Sequence, residues 1–192
     1  MRIITGIARG MPLFVPRDGV RPTTDRIREA MFSSLGERVP GARVLDLFAG
    51  TGGLGLEAAS RGAVAVTFVE KARPSLIALE RNLAAIRQGR EMNCELRVLR
   101  GDAFVQLIAM AAGSFDLVFA DPPYGDAAQR LLNDPRLLPV LDGAGLLVLE
   151  SATRDALVPG TSWRVVREGE YGDTRVSFFA PVRSVVSAPS HP

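Results

Sequence analysis

Two hydrophobic periods alternate along this chain, and the places where one gives way to the other divide it into elements. The apolar runs Val44–Phe48, Ala65–Val69, Leu96–Leu99, Phe115–Ala120 and Gly145–Glu150 read as strands covered on both faces. Between them, Leu54–Arg61 and Pro74–Arg87 read as helices, the second with Leu76, Leu79, Leu83 and Ile86 on one stripe. A further helix is expected near Ala103–Ala111, and Gln129–Leu141 reads as helical but interrupted around Pro135 and Pro139. Trp163–Val166 and Val176–Ala180 look like a terminal antiparallel pair. Such alternation predicts an α/β fold, a doubly wound and mostly parallel sheet with helices on both sides.

The opening of the chain follows another pattern. Arg2–Gly6 and Leu13–Pro16 flank a Gly/Ala/Arg turn, which predicts a short β-hairpin. Arg21-Pro22-Thr23-Thr24-Asp25 then signals a helix start, with Thr24 as N-cap and Asp25 in the first turn. Ile27, Met31 and Leu35 share one face, which leaves Arg26 and Arg28 elsewhere on the helix surface, and Gly36 with Pro40-Gly41 ends it. The expected division is a hairpin-and-helix extension over 1–40, a main domain over 41–182 and a frayed, flexible tail over 183–192.

Candidate chemistry gathers where the strands end. Gly50, Gly52 and Gly55 satisfy G-x-G-x-x-G between a strand and a helix, the setting in which the pattern points to a nucleotide-type ligand and not merely to a tight turn. Asp46 lies four residues before Gly50. A carboxylate there suits a cationic ligand such as S-adenosylmethionine, with its ammonium and sulfonium, better than the pyrophosphate of NAD. Glu70, twenty residues after Gly50, is placed to accept hydrogen bonds from ribose hydroxyls. Asp102 either contacts an adenine's amino edge or caps the helix that follows it. All of these stand at strand ends, where ligands of such sheets bind.

Asp121-Pro122-Pro123-Tyr124 follows the strand Phe115–Ala120. Two prolines fix φ and withhold N–H groups, so the loop is stiff. It can offer the Asp121 carboxylate and the Pro122 carbonyl as neighbouring acceptors, with Tyr124 as a stacking surface. Two acceptors and a ring suit a planar base carrying an exocyclic amine, whose lone pair they would turn toward an incoming methyl group. Base–aromatic stacking of ~1–3 kcal/mol is enough to hold a flipped or unpaired nucleotide.

Charge adds a partner. The formal net charge is +2, but residues 1–28 hold six arginines against two acids, a net of +4, and the rest of the chain is left at −2. A basic arm on a near-neutral body fits a nucleic-acid grip. The composition, 47% hydrophobic and 23% charged over 192 residues, is that of a globular domain. No apolar run approaches the ~18–20 residues of a membrane span or forms a signal-peptide core, so a cytoplasmic home is expected. The single cysteine, Cys94, excludes an intrachain disulfide and lacks a catalytic setting; His191 lies in the tail, and no cluster has metal-ligand spacing.

The glycine loop with Asp121-Pro122-Pro123-Tyr124 is similar to the class I S-adenosylmethionine-dependent amino-methyltransferases. More narrowly, Met1-Arg2-Ile3-Ile4, Arg21 through Glu29, Asp46 through Gly52 and Tyr171-Gly172-Asp173-Thr174 together resemble the bacterial small-subunit ribosomal RNA guanine-N(2) methyltransferases (RsmD-like), over about residues 1–180. The general methyltransferase loop carries another glycine where this chain has Phe48; the Phe-Ala-Gly form occurs in amino-methyltransferases. The resemblance implies a seven-stranded sheet with an antiparallel last strand, and methylation of one guanine's 2-amino group in 16S rRNA, within a partly assembled 30S subunit; a monomer is expected.

It also implies site roles. Asp46, Gly50 and Gly52, with Phe48, Ala49 and Thr51 of the same loop, would hold the methionine portion of S-adenosylmethionine. Glu70 would take the ribose, Asp102 the adenine edge, and Asp121 would border cofactor and substrate. Asp121 and Pro122 would orient the amine, while Pro123 and Tyr124 meet the base. Arg9, Arg21, Arg26 and Arg28, with Thr23, would grip the RNA. Three rivals remain: a DNA adenine-N6 or cytosine-N4 amino-methyltransferase, for which 192 residues leave little room for a target-reading module; a nicotinamide oxidoreductase, disfavoured by Asp46; and a non-catalytic RNA-binding assembly factor, disfavoured by the intact tetrad.

Overall fold

A computed structural model describes residues 1–16, 24–89, 92–123 and 125–182. Seven strands form one sheet: β1 (Arg43–Leu47), β2 (Ala65–Glu70), β3 (Glu95–Arg100), β4 (Phe115–Ala120), β5 (Leu141–Ala152), β6 (Trp163–Tyr171) and β7 (Thr174–Pro181). Their order is β3-β2-β1-β4-β5-β7-β6. The first five strands run parallel, and β7 is antiparallel to both β5 and β6.

Both faces are covered, which is why the central strands are apolar throughout. Val44 of β1 packs into one core with Leu56, Leu79 and Phe119, whereas Leu45 and Leu47 pack into another with Phe104, Leu131 and Leu149. On the first face lie α1 (Asp25–Leu35), α2 (Gly53–Ser60) and α3 (Arg73–Gly89); on the second lie α4 (Ala103–Gln106), α5 (Ala127–Leu132) and α6 (Leu137–Val140). Alternate side chains of every central strand are thus taken out of water on opposite sides.

Proline and short polar turns account for the departures from the expected elements. The segment 129–141 divides into α5 and α6 around Pro135, where the Asp134 carboxylate accepts the Arg136 N–H at 3.0 Å. The helix near residue 103 is one α-turn followed by a 3-10 turn over Leu107–Ala109. Thr24 does cap α1, accepting from the Ile27 N–H at 3.3 Å, and Asp25 stands in its first turn.

The N-terminal hairpin reduces to one antiparallel bridge, Arg2 to Pro12. It is docked and not free. The Ile4 and Thr5 N–H groups donate to Glu57 at 2.7 and 3.0 Å, and the Phe14 N–H donates to Asn82 at 2.7 Å. Ile3, Ala8 and Leu13 belong to the same core as α1, α2 and Val44, so residues expected to form an extension share the core of the sheet domain. The expected tail over 183–192 lies outside the described residues.

Candidate active site

The chain leaves β1 through a strained turn. Phe48 takes φ 58°, and Gly50 and Gly52 follow at 55° and 84° before α2 begins at Gly53. A left-handed aromatic costs of order 1–3 kcal/mol, which explains why the general loop has glycine there. Here the Phe48 ring packs edge-to-face on Phe104, with centroids 6.0 Å apart and planes at 70°. Gly55 makes helix and sheet touch: a Cβ on it would lie 2.3 Å from the Phe68 ring.

Two carboxylates brace this loop from below. Asp46, 2% exposed, accepts the Gly55 N–H at 2.8 Å. Burial pushes its carboxyl up to about 7; the Gly55 hydrogen bond opposes the shift, and the negative charges of Asp121 and Glu70 add to it. Glu70 accepts the N–H groups of Gly50, Lys71 and Ala72, each at 2.7 Å. The Gly50 N–H is therefore held by Glu70.

β4 delivers the second loop. Leu47 pairs with Ala120 in register, so Phe48 and Asp121 leave adjacent parallel strands at the point where the strand order reverses. Asp121 is half-buried, Pro122 buried and Pro123 exposed. Both loops open into one cavity of about 800 Å³, whose wall includes Asp46, Phe48, Ala49, Gly50, Thr51, Glu70, Asp121, Pro122 and Pro123. Its acidic character suits a ligand bearing positive charge: a cation that reaches Asp46 relieves the repulsion responsible for part of its raised pKa.

Two expected ligand residues also have protein partners, and one expectation is corrected. Gly52 takes φ 84°, a left-handed conformation that favours glycine, and a Cβ there would lie 2.5 Å from the end of the Leu79 side chain. Asp102 acts as the cap, accepting the Phe104 N–H at 3.0 Å and pairing with Lys71 Nζ at 2.9 Å, between the wall residues Gly101 and Ala103. The Lys71 ammonium, aided by backbone N–H donors, holds the Asp102 carboxyl below its ordinary value.

The corrected expectation is Arg28, which is 0% exposed. It belongs to the inward stripe Ile27, Arg28, Met31, Phe32, Leu35, and its guanidinium donates to the Gly53 carbonyl at 3.2 Å and to Asp25 at 2.8 Å. Glu57, itself fully buried, lies 3.8 Å away. So enclosed, Arg28 cannot grip phosphate from the surface. Arg26 remains exposed on the cavity rim, and Arg9 is exposed on the hairpin. Arg21, Thr23 and Tyr124 lie outside the described residues.

The sequence reading missed part of the wall: Glu150, two residues before the end of β5, and the β6–β7 turn with Glu170, Tyr171 and Asp173. Glu150 had a signal, because it ends an apolar run as Asp121 does. The turn's signal was only its place in the motif Tyr171-Gly172-Asp173-Thr174, which carries no chemistry until the fold brings it over the cavity.

The strand order, the antiparallel β7 and the acidic cavity at the reversal point are those of a class I, Rossmann-like methyltransferase fold. A family model described as Conserved hypothetical protein 95 matches residues 1–180. Haemophilus influenzae Ribosomal RNA small subunit methyltransferase D is 32% identical over 177 residues, 90% of this chain and 89% of that protein. The Escherichia coli K12 protein of the same name is 42% identical over 125 residues, 65% of this chain and 60% of that one. Among solved structures, Escherichia coli yhhF matches with a TM-score of 0.78 and 34% identity, covering 94% of this chain and 97% of that one. The chain belongs to the Conserved hypothetical protein 95 family and is RsmD-like. Among its described residues, no helix is long and apolar enough to cross a membrane.

Proposed function

We propose that this protein transfers a methyl group from S-adenosylmethionine to the exocyclic 2-amino group of a guanine in 16S ribosomal RNA. The reading is carried by the Leu47–Ala120 pairing, which sets the cofactor-type loop and the Asp121-Pro122 loop side by side at one cavity. Relatives named Ribosomal RNA small subunit methyltransferase D support the RNA substrate.

When bound, the sulfonium compound supplies a methyl group activated for displacement. Asp46 and Glu70 attract its positive charges and accept from its ribose, while Phe48, Ala49, Gly50 and Thr51 line its path. Asp121 and the Pro122 carbonyl accept the two amine hydrogens of the base, which aims the nitrogen lone pair across the cavity. Holding the reacting atoms ~3–3.5 Å apart supplies much of the rate. The amine becomes acidic as it gains carbon, so its proton leaves without a dedicated strong base. Arg26, on the cavity rim, and Arg9, exposed on the hairpin, would meet RNA phosphates, and Pro123 would border the base.

The test combines two measurements. Mass spectrometry of 16S rRNA from cells with and without the gene should differ by one N(2)-methylguanosine. Purified protein should transfer tritiated methyl to 30S particles and not to naked DNA. Transfer to DNA, or unchanged rRNA, rejects the assignment.

A further inference from the structure

One buried carboxylate on the cavity wall has no part in the chemistry above. Glu150 is 6% exposed and lies near the carboxyl end of β5, with its neighbour Leu149 paired to Ala120. Asp121 and Glu150 are therefore the next residues along two adjacent parallel strands, whose backbones lie ~4.8 Å apart. They also share a face of the sheet. Asp46 is level with Phe68 and Phe119, and Phe119 with Val148; these apolar partners all point into the same core. Glu70 and Glu150 come two residues after Phe68 and Val148, and Asp121 two after Phe119. Across the sheet, the acids run Glu70, Asp46, Asp121, Glu150.

This order divides the cavity. Glu70 and Asp46 belong to the glycine-loop side, Asp121 stands in the middle, and Glu150 lies on the side remaining for the base. Bases that carry an exocyclic amine differ in what stands beside it. Guanine has a ring N1–H next to its 2-amino group, so its donors are contiguous. Adenine and cytosine have a bare ring nitrogen next to theirs, an acceptor. A carboxylate beside the amine-holding pair accepts from guanine and repels the other two.

We infer that Glu150 is a specificity-determining residue that accepts the N1–H of the target guanine while Asp121 and Pro122 hold its 2-amino group. The inference rests on the methyl-transfer reading above and adds a physical reason for guanine over adenine and cytosine. It holds whatever protein contacts Glu150 also makes, because a carboxylate has about four acceptor sites.

The discriminating substrate is 16S RNA with 2-aminopurine in place of guanine at the methylated position, prepared by ligation and reconstituted into 30S particles. This base keeps the 2-amino group but has a bare N1. Wild type should prefer guanine by roughly 10–100-fold in kcat/KM, the discrimination of one well-placed contact to a base edge. In Glu150→Gln the side-chain amide can donate to a bare N1, so the preference should shrink roughly tenfold or more, with 2-aminopurine turnover rising in absolute terms. Thermal unfolding and S-adenosylmethionine affinity of the variant serve as the folding controls, and Glu150→Asp should restore part of the preference. Equal losses on both substrates, or a wild-type enzyme indifferent to the two, would overturn the role of Glu150 while leaving methyl transfer intact. Failure of wild type to methylate the guanine substrate would instead reject the parent reading.

Discussion

Replacing Asp46 with asparagine separates charge from geometry at the floor of the cavity. The amide oxygen can still accept the Gly55 N–H, now made at 2.8 Å, but the negative charge is gone. Burial is the chief cause that raises the Asp46 carboxyl to about 7. A cationic ligand favours the ionised form, so binding below pH 7 must expel a proton. At pH 6 roughly nine in ten molecules carry that proton, and this proton by itself should weaken the apparent Kd of wild type for S-adenosylmethionine roughly tenfold relative to pH 8. The ligand's own α-ammonium titrates near ~7.7–8.0, but it does so equally with both proteins. The ratio of the Asp46→Asn Kd to the wild-type Kd therefore isolates Asp46. At pH 8 that ratio should be roughly 10–100, from loss of one charged contact worth ~1.5–3 kcal/mol. By pH 6 it should fall about tenfold. Isothermal titration in buffers of different ionisation enthalpy should also detect close to one proton released at pH 6 by wild type and none from this position in the variant. A ratio constant between pH 6 and 8 would refute the reasoning.

The same shift has a stability sign. Asp46 binds its proton more tightly folded than unfolded, so ionising it costs stability; the cost is absent below pH ~4, grows from there to ~7 and is level above. Without ligand, Asp46→Asn should thus unfold at a higher temperature than wild type at pH 8, with the gain shrinking as pH falls toward 5.

Asp121→Ala should nearly abolish turnover while S-adenosylmethionine affinity changes little; undiminished methyl transfer to 30S particles rejects its role. Arg28→Ala should cost about 3–5 kcal/mol in denaturant unfolding, because it leaves Glu57 buried beside one fewer cation. Arg26→Ala, by contrast, should leave stability unchanged and lower RNA affinity, with the slope of log K against log salt reduced by about 1. Gly55→Ala should destabilise by about 1–3 kcal/mol, because its Cβ would meet Phe68 at 2.3 Å; a neutral result means that the sheet yields there at no cost.

Much of the fold was written locally. Strands covered on both faces must be apolar at consecutive positions, and helices covered on one side must be apolar every three or four, so β1, β2, β4, β5 and α1 to α3 could be read directly; β3, expected to be covered on both faces, is instead the edge strand, with its residues exposed or half-buried. The loops after Leu47 and Ala120 were legible as well, because glycine and proline impose backbone geometry without help from distant residues. The sequence also carried the acids at the strand ends, since residues that terminate buried runs have to stand at the sheet's edge.

What the tertiary structure decided depends on partners far apart in sequence. Arg28 lies on the inward stripe of α1, yet nothing near it reveals Glu57 or the Gly53 carbonyl that make its burial possible. Gly52 has a glycine's conformation, but that Leu79 of α3 lies against it is settled only by the packing of α3 on the loop. The hairpin reads as a basic arm until Glu57 and Asn82 are seen to fasten its backbone, after which Ile3 and Ala8 belong to the core. Glu150 looks like any strand-end acid until register places it beside Asp121. Local periodicity records which surfaces must leave water; only the assembled sheet determines which charges meet once they have.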